Sequence, residues 1–187
     1  MTSPSPAAPQ TWLTRANLLT ALRLALAPVL AHAVLAPAPA LAAAVFVLAV
    51  GSDLLDGRVA RRFGESSPLG GFLDHATDAT FVTVGLAACA RTGEVPALLP
   101  VLVAFAFVQY ALDSRALAGR ALRASALGRY NGIAYFVLLG VPVVRDALGL
   151  VGPSASWVLG LGWLLVLTTV LSMLDRGWAL AARSRPS

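Results

Sequence analysis

Long apolar stretches alternate with short polar, turn-forming breaks along almost the whole chain. Apolar runs close to the roughly 20 residues that cross a bilayer as α-helix fall near 17–36, 40–62, 71–90, 96–114, 130–150 and 154–174. The breaks contain Pro37 and Pro39, Gly64 with Pro68, Gly70 and Gly71, Thr92-Gly93, and Gly152-Pro153, residues that turn a chain or stop a helix. No internal repeat is evident. The pattern predicts an all-α, polytopic membrane protein, with six transmembrane helices in one bundle over 12–178. A polar, Pro- and Ser-rich tail over 1–11 precedes it, and a second tail over 179–187 follows.

Composition narrows the class. Of the 187 residues, 58% are hydrophobic and only 12% charged, about half the charge of an ordinary soluble domain. A water-soluble globule of this length could not bury so much apolar surface in one core. Disordered chains have the opposite composition, few apolar residues and many charges. A cleaved secretion signal at the first stretch is imitated by Ala31-His32-Ala33, but Arg23 interrupts an apolar region that such a signal keeps uncharged. The single cysteine, Cys89, excludes an internal disulfide framework and reads as a small core residue.

All fourteen basic residues are arginines, and the net charge is +5. No basic run interleaved with aromatics accompanies them, so nucleic acid is not an expected partner. Their placement is informative instead. If the N-terminus is cytoplasmic, Arg15, Arg58, Arg61, Arg62, Arg115, Arg120, Arg123, Arg129, Arg176, Arg183 and Arg185 are cytoplasmic, against Arg91 and Arg145 outside. Eleven against two is a positive-inside bias. Both termini are therefore expected on the cytoplasmic side of the cell inner (plasma) membrane.

Chemistry concentrates in one window. Asp53, Asp56 and Ala60 are spaced i, i+3, i+7, which places them on one helical face, and Asp74 and Asp78 follow at i, i+4 on the next helix, with Gly70 one turn earlier. The short connection makes the two helices antiparallel neighbours, so four carboxylates can converge near the cytoplasmic end. Each intramembrane charge costs about 2.5–3.5 kcal/mol on the insertion scale, and Arg61 alone cannot balance four acids. An all-carboxylate cluster suits a hard divalent cation, Mg2+ or Mn2+. Gly57 and Gly70 let a ligand approach the helix backbone. Metal plus arginine around an open pocket is equipment for a diphosphate.

Asp53-x2-Asp56-Gly57-x2-Ala60-Arg61-x8-Gly70-x3-Asp74-x3-Asp78 resembles the signature of the CDP-alcohol phosphatidyltransferases at every one of its specified positions. Asn17-Leu-Leu-Thr20-Ala-Leu-Arg23 with Pro28 is similar to the opening of the family's first helix, in its phosphatidylglycerophosphate synthase branch. Ser125-Ala-Leu-Gly128-Arg129 is similar to a Ser-x2-Gly-Lys element of that branch, with Arg in place of Lys. The resemblance implies a six-helix, usually homodimeric enzyme that moves a phosphatidyl group from CDP-diacylglycerol to an alcohol and releases CMP. It implies that Asp53, Asp56, Asp74 and Asp78 hold one or two divalent ions and that Asp78 is the general base. Gly57, Arg61 and Ser67 are implied to contact the CDP moiety, with Ala60 and Gly70 beside them and Asn17 and Thr20 near the cytidine.

The acceptor follows from charge. Arg115, Arg120, Arg123 and Arg129 lie within 15 residues on the side of the aspartates, and arginine matches phosphate oxygens bidentately. They are expected to bind a phosphorylated acceptor, foremost sn-glycerol 3-phosphate. Phosphatidylinositol-phosphate synthase and cardiolipin synthase activities of the same family stay open. A cation transporter using the same carboxylates would need polar residues continuing through the membrane, and the last three helices offer few. Other residues take plainer roles: His75 as a packed or interfacial side chain, Arg58 and Arg62 as topological anchors, and Trp12, Trp157, Trp163 and Trp178 as interface or packing aromatics. The Gly160 and Gly162 pair is expected at a close helix contact. Arg23, costly at mid-helix, is expected to find a partner, with the carboxylate cluster the candidate.

Overall fold

The computed structural model describes residues 15–63, 68–113 and 126–183, of which 15–17, 56–63, 68–69, 113 and 179–183 are described as backbone only. Among the described residues are six α-helices and no strand: α1 Arg15–Leu35, α2 Pro39–Phe63, α3 Pro68–Arg91, α4 Leu98–Asp113, α5 Ala126–Ala147 and α6 Ala155–Arg183. The all-α expectation holds, and each apolar run has its helix. Three of them contain spans long and apolar enough to cross a membrane: Leu18–Leu35, Ala126–Ala147 and Ala155–Trp178. Shorter apolar helical stretches occupy Pro39–Leu55 and Leu98–Leu112.

The helices stop where the backbone is given a way to stop. At the end of α3, Gly93 takes φ +83°, and the Glu94 amide donates to the Cys89 carbonyl at 2.9 Å. That is the glycine-centred cap in which a left-handed residue closes a six-residue loop. Gly149, at φ +61°, repeats it after α5, with the Leu150 amide donating to the Arg145 carbonyl at 2.9 Å. This second cap ends α5 at Ala147, earlier than the apolar run to 150 suggests. The other departures lie at polar ends: α5 starts at Ala126 rather than 130, and α6 continues beyond 174 to Arg183. Helix geometry outlasts hydropathy there, because Arg129 and Arg176 are good helix formers that happen to be polar.

Large apolar side chains cover the outer surface as well as the core. Phe105, Leu112, Trp157, Trp163, Leu167 and Trp178 are exposed, whereas Arg23, Ser52, Thr77, Asn131, Thr169 and Ser172 are buried. Apolar outside with polar groups facing one another inside is the arrangement a lipid solvent favours. α1 lies against α2 and α3, α4 against α3 and α6, and α5 against α2, α3 and α6. The core joins Leu30, Phe81, Leu86, Leu99, Leu139 and Val158, with Cys89 buried among them as expected. Close approach depends on small residues: a side chain at Gly85 would meet Leu139 and Leu30, one at Gly140 would meet Phe46, and one at Gly162 would meet Pro96. Gly160 faces open space, so only one glycine of that pair makes the expected contact.

At the bundle end away from Asp53 and Asp78, Arg145 ties three segments together. It donates to both Glu94 carboxylate oxygens (2.7 and 3.2 Å), to Asp146 Oδ1 (2.8 Å) and to the Pro153 carbonyl (3.2 Å). The bidentate fork is the geometry that makes an arginine–carboxylate pair worth more than a point contact.

Candidate active site

Asp53 reaches the site from α2, and Asp74 and Asp78 from successive turns of α3. One oxygen from each carboxylate lies within 4.8 Å of the others, so the convergence expected from the spacing is realised for these three. Like charges this close repel strongly in a medium of low dielectric. α1 supplies the answer in Arg23, whose side chain is fully buried. Its Nη2 lies 3.1 Å from Asp53 Oδ1. Its Nη1 donates to Asp74 Oδ1 at 2.9 Å and also to Asp78 Oδ1. The expected partner of Arg23 is therefore the carboxylate cluster, and α1 supplies a cation that balances it.

Three carboxylates and one guanidinium leave a formal charge of −2, which a single divalent ion balances. Opposite ligands of an octahedral Mg2+ are about 4.2 Å apart, twice its usual bond length. Oxygens grouped within 4.8 Å are close to that span, and all-oxygen donors suit Mg2+ or Mn2+ over softer ions. The residues present thus fit the metal.

The remaining expected site residues divide by position. Thr20 is half-buried on α1, one turn before Arg23, and Gly70 is half-buried on α3, one turn before Asp74. Asn17 lies on α1, and Asp56, Gly57, Ala60 and Arg61 lie on α2, on the turns that follow Asp53; their side chains are outside the described residues, as are Ser67, Arg115, Arg120 and Arg123 altogether. Arg129 is exposed on the first turn of α5.

A cavity of about 580 Å3 opens beside the aspartates, within the usual range for small-molecule sites. Asp53 and Asp78 border it from α2 and α3; Gln109 and Tyr110 from α4; Arg129, Asn131 and Tyr135 from α5; Thr169, Ser172 and Arg176 from α6. The Arg176 guanidinium lies over the Tyr110 ring, 5.1 Å from its centroid, and His75 stacks on the same tyrosine at 5.8 Å. His75 is thus an aromatic-packed side chain, but on the cavity wall rather than in the interior. Arg176 is the residue that sequence reasoning placed elsewhere, among the topological arginines. A signal existed: Thr169, Ser172 and Arg176 are spaced i, i+3, i+7 on an otherwise apolar helix, a polar stripe facing inward.

The family model for CDP-alcohol phosphatidyltransferase matches residues 13–174. The chain belongs to the CDP-alcohol phosphatidyltransferase family. Its aspartate cluster falls inside the matched region. Among curated relatives, a Pseudomonas fluorescens protein named CDP-diacylglycerol–glycerol-3-phosphate 3-phosphatidyltransferase is 40% identical over 73 residues, 37% of each chain. A Pectobacterium atrosepticum protein of the same name is 41% identical over 73 residues, 37% of this chain and 40% of its own. A Mycobacterium tuberculosis protein named "Probable phosphatidylglycerophosphate synthase" is 33% identical over 94 residues, 47% of this chain and 45% of its own. Each match spans less than half the length of the relative.

Proposed function

We propose that this protein transfers the phosphatidyl group of CDP-diacylglycerol to sn-glycerol 3-phosphate, giving phosphatidylglycerophosphate and CMP. One observation carries the reading: the acidic residues Asp53 and Asp78 and the basic residues Arg129 and Arg176 border a single cavity. A phosphorylated acceptor needs both, a base at its hydroxyl and cations at its phosphate. The names of the relatives support the same acceptor.

In this reading the acceptor hydroxyl oxygen attacks the phosphatidyl phosphorus as Asp78 takes its proton, and the bond from that phosphorus to the CMP oxygen breaks. An alcohol is a weak nucleophile until a positioned base removes its proton during attack. Asp53, Asp74 and Asp78, with Asp56 of the signature, are the residues that would hold Mg2+ or Mn2+. A bound ion supplies charge neutralisation to the diphosphate as CMP departs. Gly57, Ala60, Arg61, Ser67 and Gly70 hold the CDP moiety, Asn17 and Thr20 flank the cytidine, and Arg115, Arg120 and Arg123 join Arg129 at the acceptor. The acyl tails stay in the bilayer while the headgroup enters from the cytoplasmic side. The catalytic unit is the bundle over 12–178, spanning the inner membrane six times with both termini cytoplasmic, and it works as a homodimer.

The test is CMP release from CDP-diacylglycerol by the purified protein with sn-glycerol 3-phosphate, inositol phosphate, inositol and serine as acceptors. Fastest turnover is expected with sn-glycerol 3-phosphate, lost in EDTA and restored by Mg2+ or Mn2+. Arg176→Ala is expected to raise the acceptor KM. Faster turnover with serine or free inositol, or full turnover in chelator, overturns the assignment.

A further inference from the structure

Two arginines of the bundle are held by carboxylates: Arg23 by Asp53, Asp74 and Asp78, and Arg145 by Glu94 and Asp146. Arg176, half-buried on α6, is held differently. Among the described residues it makes no ion pair. Its guanidinium lies instead 5.1 Å from the centroid of the Tyr110 ring, within the roughly 6 Å over which a ring face attracts a cation. The contact spans the packed interface of α4 and α6. Tyr110 is 7% exposed and is itself fixed by two neighbours. His75 of α3 stacks on it, with centroids 5.8 Å apart and planes 16° from parallel. Phe107, one turn back on α4, meets it at 6.2 Å and 45°. Both separations are ones at which aromatic pairs attract. The Tyr110 hydroxyl makes no hydrogen bond among the described residues, so the ring is what this tyrosine contributes.

A carboxylate partner cancels the charge of a guanidinium and consumes its N–H donors, as at Arg145. An aromatic face does neither. It attracts the cation through the ring quadrupole, while the five donors, which point from the edges of the guanidinium plane, stay available. Arg176, Tyr110 and His75 all border the cavity that holds Asp78 and Arg129. A cation with open donors, anchored to a buried ring on the cavity wall, suits an anion that must enter and leave. We infer that Tyr110 is a positioning residue: its ring, braced by His75 and Phe107, sets Arg176 in place for the acceptor's phosphate without neutralising it. Setting a long side chain before the ligand arrives reduces the ordering cost of binding, so loss of the ring weakens acceptor binding rather than slowing the chemistry. The inference rests on the proposed transfer to sn-glycerol 3-phosphate and adds what prepares the site for that molecule's phosphate.

The experiment is kinetic and uses the full chain with Tyr110→Phe, and with phenylalanines bearing one, two or three ring fluorines at residue 110. Fluorine draws electron density from the ring face and weakens its hold on a cation while scarcely changing its size, so packing is kept. The KM for sn-glycerol 3-phosphate is expected to rise stepwise from Tyr110→Phe to the trifluorinated ring, by about three- to tenfold in all. The KM for CDP-diacylglycerol and kcat should each move by less than about twofold, the pattern of binding lost equally in ground and transition states. In an Arg176→Ala background the series should be flat, because the ring then has no cation to hold. A flat series with Arg176 present overturns the inference, and so does a rise that persists in Arg176→Ala. A rise confined to the CDP-diacylglycerol KM also overturns it, by assigning Arg176 to the donor's diphosphate. Each of these outcomes leaves transfer to glycerol phosphate standing. If CMP is released with other alcohols and not with sn-glycerol 3-phosphate, the transfer reading and the role of Tyr110 fall together.

Discussion

Arg23 lies deeper than any aspartate it contacts: its side chain is 0% exposed, against 39%, 29% and 24% for Asp53, Asp74 and Asp78. The guanidinium is therefore a fixed part of the interior, around which the partly open carboxylates gather. Removing one partner of a buried ion pair costs about 3–5 kcal/mol, because the remaining charge is stranded; with aspartates this open, the lower end applies. Arg23→Gln is expected to lower the Tm of the detergent-solubilised protein in EDTA by several degrees, and Mg2+ should restore more of it than it adds to the wild type. Equal melting of variant and wild type in EDTA would show that Arg23 bears no such load. Asp78 carries a different prediction. Asp78→Asn keeps the shape and removes the proposed base, so CMP release should fall by about 10²–10⁴ while binding of CDP-diacylglycerol persists. Near-normal turnover of that variant would disprove the base assignment. The aspartates were legible in the sequence because their spacing alone puts them on facing helix turns. Arg176 was not, since a basic residue at the end of an apolar helix reads equally as a topological anchor until the helix is seen to continue through it.

At the scale of elements, one pair of glycines on α6 separates packing from mere composition. A Cβ on Gly162 would collide with the Pro96 ring, while a Cβ on Gly160 meets nothing. The proline ring cannot rotate away as a flexible side chain would. Gly162→Ala is therefore expected to destabilise by about 1–3 kcal/mol, the range for overpacking. Gly160→Ala should be neutral or stabilising by up to about 1 kcal/mol, the helix preference of alanine over glycine. Thermal unfolding of the two variants side by side checks the sign; a shared loss of stability would mean that Gly160 also lies at a contact. The number and order of the helices were readable from apolar run length. Their ends were not, because hydropathy falls off before the helix does at Arg129 and Arg176, and because the Gly149 cap is decided by backbone conformation. Likewise the inward polar faces of α5 and α6 carry too few residues to disturb an apolar average, so Asn131 and Thr169 emerge only when neighbouring helices are in place.

For the molecule as a whole, the two ends of the bundle differ in how their charge is held. Arg129 and Arg176 border the cavity at the aspartate end, where most of the arginines also fall in sequence. At the other end Arg145 is bound up with Glu94, Asp146 and the Pro153 carbonyl. Arginine near a membrane-spanning end resists translocation, so the richer end is expected to stay in the cytoplasm. CDP-diacylglycerol and a phosphorylated acceptor must then both be met from that side, which the proposed reaction requires, since a charged acceptor does not cross the bilayer unaided. Single cysteines at Ser3 and Ser184 test this in a Cys89→Ala background; the native thiol is buried at 1% exposure, and alanine replaces it without a stranded polar group. In sealed inner-membrane vesicles of known orientation, a membrane-impermeant maleimide should label both positions only when the cytoplasmic face is outward. Labelling of both from the opposite face would invert the bundle and put the aspartates on the wrong side for their substrates. Labelling of the two from different faces would require an odd number of crossings, and would leave one of the six helices lying within the membrane rather than spanning it.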